Sequence, residues 1–182
     1  MKKIVFFVAV FLLTSICVFA AERRWLSQPI HVYIPPHGNM SVYMKQAFMA
    51  WEKLSGSTVR FKFDSSPSSA KIQVKFVDFV TNCSSNDAVG CTHWYERNGK
   101  INKAVITIGT KEYLMIRGNG TITPKKVTRS KEHIYGVMLH EVGHAIGLEH
   151  SNNPKSIMYP YDLETMQYLT KEDLRILRQN YH

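Results

Sequence analysis

His140-Glu141-Val142-Gly143-His144-Ala145-Ile146-Gly147-Leu148-Glu149-His150 is the stretch on which the fold turns. Its pattern is H-E-x-x-H-x-x-G-x-x-H, and each fixed letter has a physical job. His140 and His144 are four apart, so on an α-helix they leave nearly the same face, one turn above the other. That is what a tetrahedral Zn²⁺ requires of two imidazoles. Glu141 follows the first ligand and stands beside the metal without being forced to bind it, the place for a general base. Gly147 can take positive φ, ending the helix and turning the chain so that His150 can supply a third ligand. Three protein ligands leave a fourth position for water, which marks a catalytic site and not a structural one.

Backward from this helix, expected over Lys131 to Gly147, the chain reads as strands around one earlier helix. Pro29 to Ile34 alternates β-branched and aromatic residues and is stopped by Pro35-Pro36-His37-Gly38, which reads as a strand. Met44, Ala47, Phe48, Trp51 and Leu54 recur at helical spacing within Ser41 to Ser55. Val59 to Phe63 and Lys71 to Val77 alternate as half-buried strands. Thr92 to Glu96 is a short strand, Asn98-Gly99 a turn, and Ala104 to Ile108 a strand apolar enough to lie inside a sheet. Thr110 to Ser130 yields no clear element. Forward of the motif, Thr170-Lys171-Glu172-Asp173 is a capping-box variant opening a last helix with Leu174, Ile176 and Leu177.

The 182 residues suggest one domain with a proper core. Lys2 and Lys3, the apolar run Ile4 to Phe19 and the small-residue site at Ala20 predict a cleaved signal peptide over residues 1–20. An uncleaved anchor is the competing reading; a lipid anchor on Cys17 is disfavoured by the bulk of Ile16. The expected mature domain is residues 21–182, exported to an extracellular or periplasmic space, with no stable membrane association after cleavage. The 23 basic residues less Lys2 and Lys3 leave 21 against 14 acidic ones, a net charge of +7. These charges are dispersed and no basic run interleaves with aromatics, so nucleic acid is not an expected partner; anionic surfaces or acidic substrates are compatible. Cys83 and Cys91 remain, and export permits a disulfide closing the short loop Ser84 to Gly90.

With these residues in place, the chain resembles the metzincin clan of zinc peptidases. His140 to His150, then Ser151 and Ser156-Ile157-Met158-Tyr159-Pro160, are most similar within it to the matrixins, the matrix-metalloproteinase family. Ser151 after the third histidine is the matrixin choice. Met158 falls where that family has its Met-turn, and Pro160 stands where astacins and serralysins carry an extra tyrosine ligand. The resemblance covers Pro29 to Tyr181. It implies an α+β domain with a twisted, mostly parallel five-stranded sheet and three helices. The strand after the cysteine loop would be the antiparallel edge, open to a substrate backbone as an added strand.

The resemblance also implies the activity. The implied enzyme is a zinc endopeptidase in which His140, His144 and His150 would hold Zn²⁺, Glu141 would be the general base toward a metal-activated water, and Met158 would pack beneath. Substrates would be proteins or peptides and the chain a monomer. The specificity pocket would be bordered by Gly136, Val137, Pro160 and Tyr161. A glycine four residues before His140 suggests a deep pocket for a large apolar residue just after the scissile bond. Departures accompany this. No cysteine lies between the leader and the domain, so thiol latency is excluded. His93 lacks the partners for a second, structural zinc, and calcium ligands are not recognisable, leaving calcium without support. Pro160-Tyr161-Asp162 departs from the family's pocket wall. His31, His37, His133 and His182 read as surface or turn residues, and Asp173 as a helix cap that relatives also tie to the Met-turn. The competing readings are narrow processing of one partner and a non-catalytic peptide-binding or adhesin-like module that retains the metal site.

Overall fold

The computed structural model describes residues 23–83, 85, 88–118, 121–161 and 167–182. The leader expected over residues 1–20, Ser84, Asn86 and Asp87 of the cysteine loop, and Asp162 lie outside these.

β1 (Ile30–Tyr33), β2 (Phe61–Asp64), β3 (Ile72–Val77), β4 (Gly90–Arg97) and β5 (Lys100–Gly109) form one sheet in the order β2-β1-β3-β5-β4. Every neighbouring pair is parallel except β4 with β5. That hairpin closes through Asn98 and Gly99, both at positive φ (53° and 69°), the conformation of the two-residue turns that suit strand twist. β4 is therefore the antiparallel edge, as the resemblance implies, and β5 an interior strand, as its apolar sequence suggests.

One sheet face is apolar because the strands alternate. Ile30, Val32, Ile72, Val74, Ala104, Ile106 and Ile108 are all buried. Against them lie α1 (Asn39–Leu54), with Met44, Ala47, Phe48 and Trp51 buried, and α2 (Lys131–Ala145), with Ile134, Met138, Leu139 and Val142 buried. Each fully buried large side chain contributes about 1.5–3 kcal/mol. α3 (Lys171–Tyr181) adds Leu177 and opens with the expected capping box: Thr170 Oγ1 accepts from the Asp173 N–H, and Asp173 Oδ2 accepts from the Thr170 N–H. Together these make an α+β domain with a mixed five-stranded sheet and three helices.

Two local expectations are corrected. Thr110 to Ser130 is mostly a second, two-stranded ribbon, β6 (Lys111–Gly118) with β7 (Thr121–Thr128). His31 is no loose surface residue; it sits in β1 with its Nδ1 2.9 Å from Asp64 Oδ2. The segment before β1 also contributes a core residue, Trp25, only 5% exposed.

The three tryptophans of the chain converge on α2. Their indole N–H groups donate to its carbonyls: Trp25 to Ala145 at 2.8 Å, Trp51 to Leu139 at 2.9 Å and Trp94 to His144 at 2.7 Å. The last carbonyls of a helix lack intrahelical partners. Trp25, Trp94 and Tyr181 (to Ile146 O, 3.1 Å) take up that role here. The helix that carries the motif is thus anchored at its C-terminal end by α3, β4 and the segment before β1.

Candidate metal centre

α2 ends at Ala145, two residues earlier than the expected Gly147, and the chain turns at once. Gly147 has φ 98°, its N–H donates to His144 O at 2.8 Å, and the Leu148 N–H donates to Gly143 O at 3.0 Å. This pair of bonds is a Schellman motif, which requires a left-handed residue at that point. A Cβ on Gly147 would also lie 2.1 Å from the Arg23 carbonyl oxygen. Glycine is needed there for conformation and for space.

The turn brings His150 back to the helical pair. The ligand atoms of His140, His144 and His150 lie within 4.8 Å of one another, with His144 Nε2 3.2 Å from His150 Nε2. His140 Nδ1 lies 2.7 Å from Ile157 O and His144 Nδ1 2.8 Å from Leu148 O. A carbonyl only accepts, so both δ nitrogens carry the proton and both ε nitrogens offer a lone pair. Burial holds both rings neutral, pulling His140 down to about 4 and His144 to about 3. His150 is lowered as well, for the same reason. Neutral imidazoles, oriented by backbone acceptors and gathered on one point, are the donor set Zn²⁺ takes. The residues present fit the ion.

Glu141 is 5% exposed and points toward the edge strand, where the Thr92 hydroxyl lies 2.7 Å from Oε2 and 3.0 Å from the Glu141 main-chain oxygen. Burial pushes the Glu141 carboxyl up to about 7, against the downward pull of the Thr92 hydroxyl. A Cβ on Gly90 would lie 2.5 Å from Oε1, so that glycine leaves the carboxylate its room. Neither Thr92 nor Gly90 stood out in the sequence. The only available signal was a glycine opening a strand, which can mark a close approach.

Beneath the histidines, Ser156 to Tyr159 forms a tight turn (Tyr159 N–H to Ser156 O, 3.1 Å), with Met158 1% exposed. A Cβ on Gly143 would lie 2.3 Å from Met158 Sδ and 2.9 Å from Trp51 Cζ2. The second variable letter of the motif is therefore glycine because methionine and tryptophan pack against bare helix backbone. Glycine in a helix interior costs about 1 kcal/mol relative to alanine, a hint the sequence carried. Asp173 does more than cap α3. Its Oδ1 accepts from the Ser156 hydroxyl at 2.6 Å, and Ser156 Oγ accepts from the Met158 N–H at 2.9 Å.

Gly136 and Val137 are half-buried on α2, one turn before His140, and a Cβ at Gly136 would meet open space. Pro160 is exposed and Tyr161 is 67% exposed, its ring edge-on to Tyr159. A cavity of about 430 Å³ bounded by Lys75, His93 and Thr107 borders none of these residues. His93 Nδ1 lies 3.8 Å from the sulfur of Cys91, which is bonded to Cys83.

Comparison with known proteins agrees with this geometry. The matrixin family pattern matches residues 33–182. Macrophage metalloelastase of Rattus norvegicus is 47% identical over 49 residues, 27% of this chain and 10% of that protein. The Oryctolagus cuniculus macrophage metalloelastase is 44% identical over 52 residues, covering 26% of the chain and 11% of the relative. Matrix metalloproteinase-15 of Homo sapiens is also 44% identical over 52 residues, covering 26% and 8%. The matched stretch thus spans about a tenth of these relatives' length. Fold and site have the form of a zinc-metallopeptidase catalytic domain, and the chain belongs to the matrixin family, whose members are zinc-dependent endopeptidases.

Proposed function

We propose that this chain is an exported zinc endopeptidase that hydrolyses internal peptide bonds, with His140, His144 and His150 as metal ligands and Glu141 as general base. The observation that carries the reading is the convergence of three imidazoles whose δ nitrogens are committed to carbonyls, beside one buried carboxylate. Zn²⁺ held by that triad would supply a Lewis acid toward the scissile carbonyl and the attacking water.

The chain's own groups account for the rest. β4 is an open sheet edge beside α2, so an extended substrate can add to it as a further strand. Thr92 holds Oε2 of Glu141, leaving Oε1 to take the proton from water and return it to the departing amine. A single carboxylate can do both in turn. Met158 packs under the rings and keeps that side dry. Gly136, Val137, Pro160 and Tyr161 border the space for the residue just after the scissile bond, and the opening beside Gly136 favours a large apolar one. The enzyme acts as a monomer after its leader, residues 1–20, is removed.

The test is casein cleavage by the purified protein. A chelator should abolish it, Zn²⁺ should restore it, and Glu141→Ala should keep zinc while losing roughly two to four decades of turnover. Zinc binding with no cleavage of any protein in a complex mixture would instead establish a peptide-binding module.

A further inference from the structure

The β6–β7 ribbon has no role in the site, and its surface is unusual for this molecule. Among the described residues, Tyr113, Leu114, Met115, Ile116 and Ile122 are 45–69% exposed and lie on one short hairpin. The pairing register sorts them onto two faces. Tyr113 opposite Lys126, Met115 opposite Pro124, and Ile122 opposite Arg117 share one face; Leu114 opposite Lys125 and Ile116 opposite Thr123 share the other. Residues 111–129 carry Lys111, Arg117, Lys125, Lys126 and Arg129 against Glu112 alone. That acid is paired with Arg129. The ribbon's root is fixed: Tyr113 stacks on Phe79 with centroids 5.0 Å apart, and Lys126 pairs with Asp78 at 2.8 Å.

We propose that this hairpin docks the protein on an anionic lipid surface, its apolar side chains entering the headgroup–acyl boundary and its cations meeting lipid phosphates and carboxylates. A rigid protein partner packs against one face of a ribbon and leaves the other wet. A fluid interface covers both, and this ribbon is apolar on both. The excess of positive charge selects an anionic one, since a basic residue near such a surface strengthens binding roughly fivefold. The dimensions fix the mode. Tyr113 to Ile116 spans about 10 Å of strand, comparable with the ~5–10 Å depth of the interface and well short of the ~30 Å hydrocarbon core. The two open ribbon edges also carry backbone groups that need water or headgroups, which keeps them out of hydrocarbon. Attachment is therefore peripheral and reversible, and agrees with the absence, among the described residues, of any helix long and apolar enough to cross a membrane. It would direct the catalytic domain to polypeptides displayed at that surface.

The experiment is co-sedimentation of the purified exported protein with vesicles of phosphatidylcholine alone, or of phosphatidylcholine with phosphatidylserine at about one part in three. Wild type should partition onto the anionic vesicles at least about tenfold better than onto the neutral ones, and the difference should shrink with added salt. Met115→Ser with Ile122→Ser should lower that partition about tenfold or more. Lys125→Glu should lower it too, and all variants should hydrolyse a short soluble peptide as wild type does. Hydrogen exchange on wild type needs no variant: amides of Leu114 to Arg117 should slow with anionic vesicles and not with neutral ones. Equal partition of wild type onto both vesicle types, or no loss in the serine variant, would overturn the proposal. Retention on poly-glutamate without binding to anionic vesicles would overturn it in favour of an acidic polypeptide partner. A protein that binds vesicles as stated and cleaves nothing would leave this inference standing while the protease reading falls.

Discussion

Asp173 and Ser156 are hydrogen-bonded at 2.6 Å, both buried, and through this contact the N-terminus of α3 holds the turn beneath the histidines. Ser156 passes the constraint to the Met158 N–H at 2.9 Å, and the intervening Ile157 carbonyl orients His140 at 2.7 Å. A helix cap, a methionine turn and a metal ligand are thus one connected polar unit.

Asp173→Ala removes the capping box and strands the Ser156 hydroxyl. The expected cost is about 2–4 kcal/mol, summing a lost cap with a buried bond to a charged group. Zinc affinity should fall about tenfold or more, since the group that orients His140 loses its support. Urea denaturation and competition with a zinc-binding dye measure the two effects.

Gly143→Ala places a methyl where Met158 Sδ and Trp51 already sit. Overpacking of this kind costs about 1–3 kcal/mol although alanine is the better helix former. A fall in melting temperature is expected; a rise would show that the methionine does not lie against the helix as described.

Thr92→Val should lower kcat about tenfold with KM little changed, because it removes a donor to the base without touching the strand backbone that binds substrate. Thr92→Ser should recover most of the loss. Equal activity in all three proteins would leave the contact with no part in positioning Glu141.

The raised Glu141 pKa makes a pH-dependent prediction for the metal-free protein. Its folded value of about 7 lies above the ordinary 4.5, so its favourable contribution is complete below about 4.5 and is lost as pH rises through 7. Glu141→Gln carries no charge to bury. Its urea midpoint should exceed that of wild type at pH 8, and the gap should narrow steadily toward pH 4.5. A gap that does not change with pH contradicts the assignment. The histidines titrate in both proteins and cancel in the difference.

Much of this was legible because local patterns and global fold agree. The alternation of Lys71 to Val77, the Asn98-Gly99 turn and the box at Thr170 each specify an element by themselves, and each forms. The histidine spacing likewise carries its own geometry. What was not legible depends on contacts between distant segments. Thr92 meets Glu141 across 49 residues and Asp173 meets Ser156 across 17, and no periodicity encodes either meeting. β6 and β7 were missed for another reason. With apolar side chains on both exposed faces there is no alternation to read, and Pro124 argues against a strand except at an edge, which is where it lies.

Catalysis as proposed requires three imidazoles to share one zinc ion and leave it an open position. X-ray absorption spectroscopy at the zinc edge of the loaded protein tests this directly. One zinc per chain is expected, with three imidazole nitrogens at about 2.0–2.1 Å and a non-protein oxygen completing the shell. Fewer than three imidazoles, or a fourth protein ligand filling the remaining position, would contradict it.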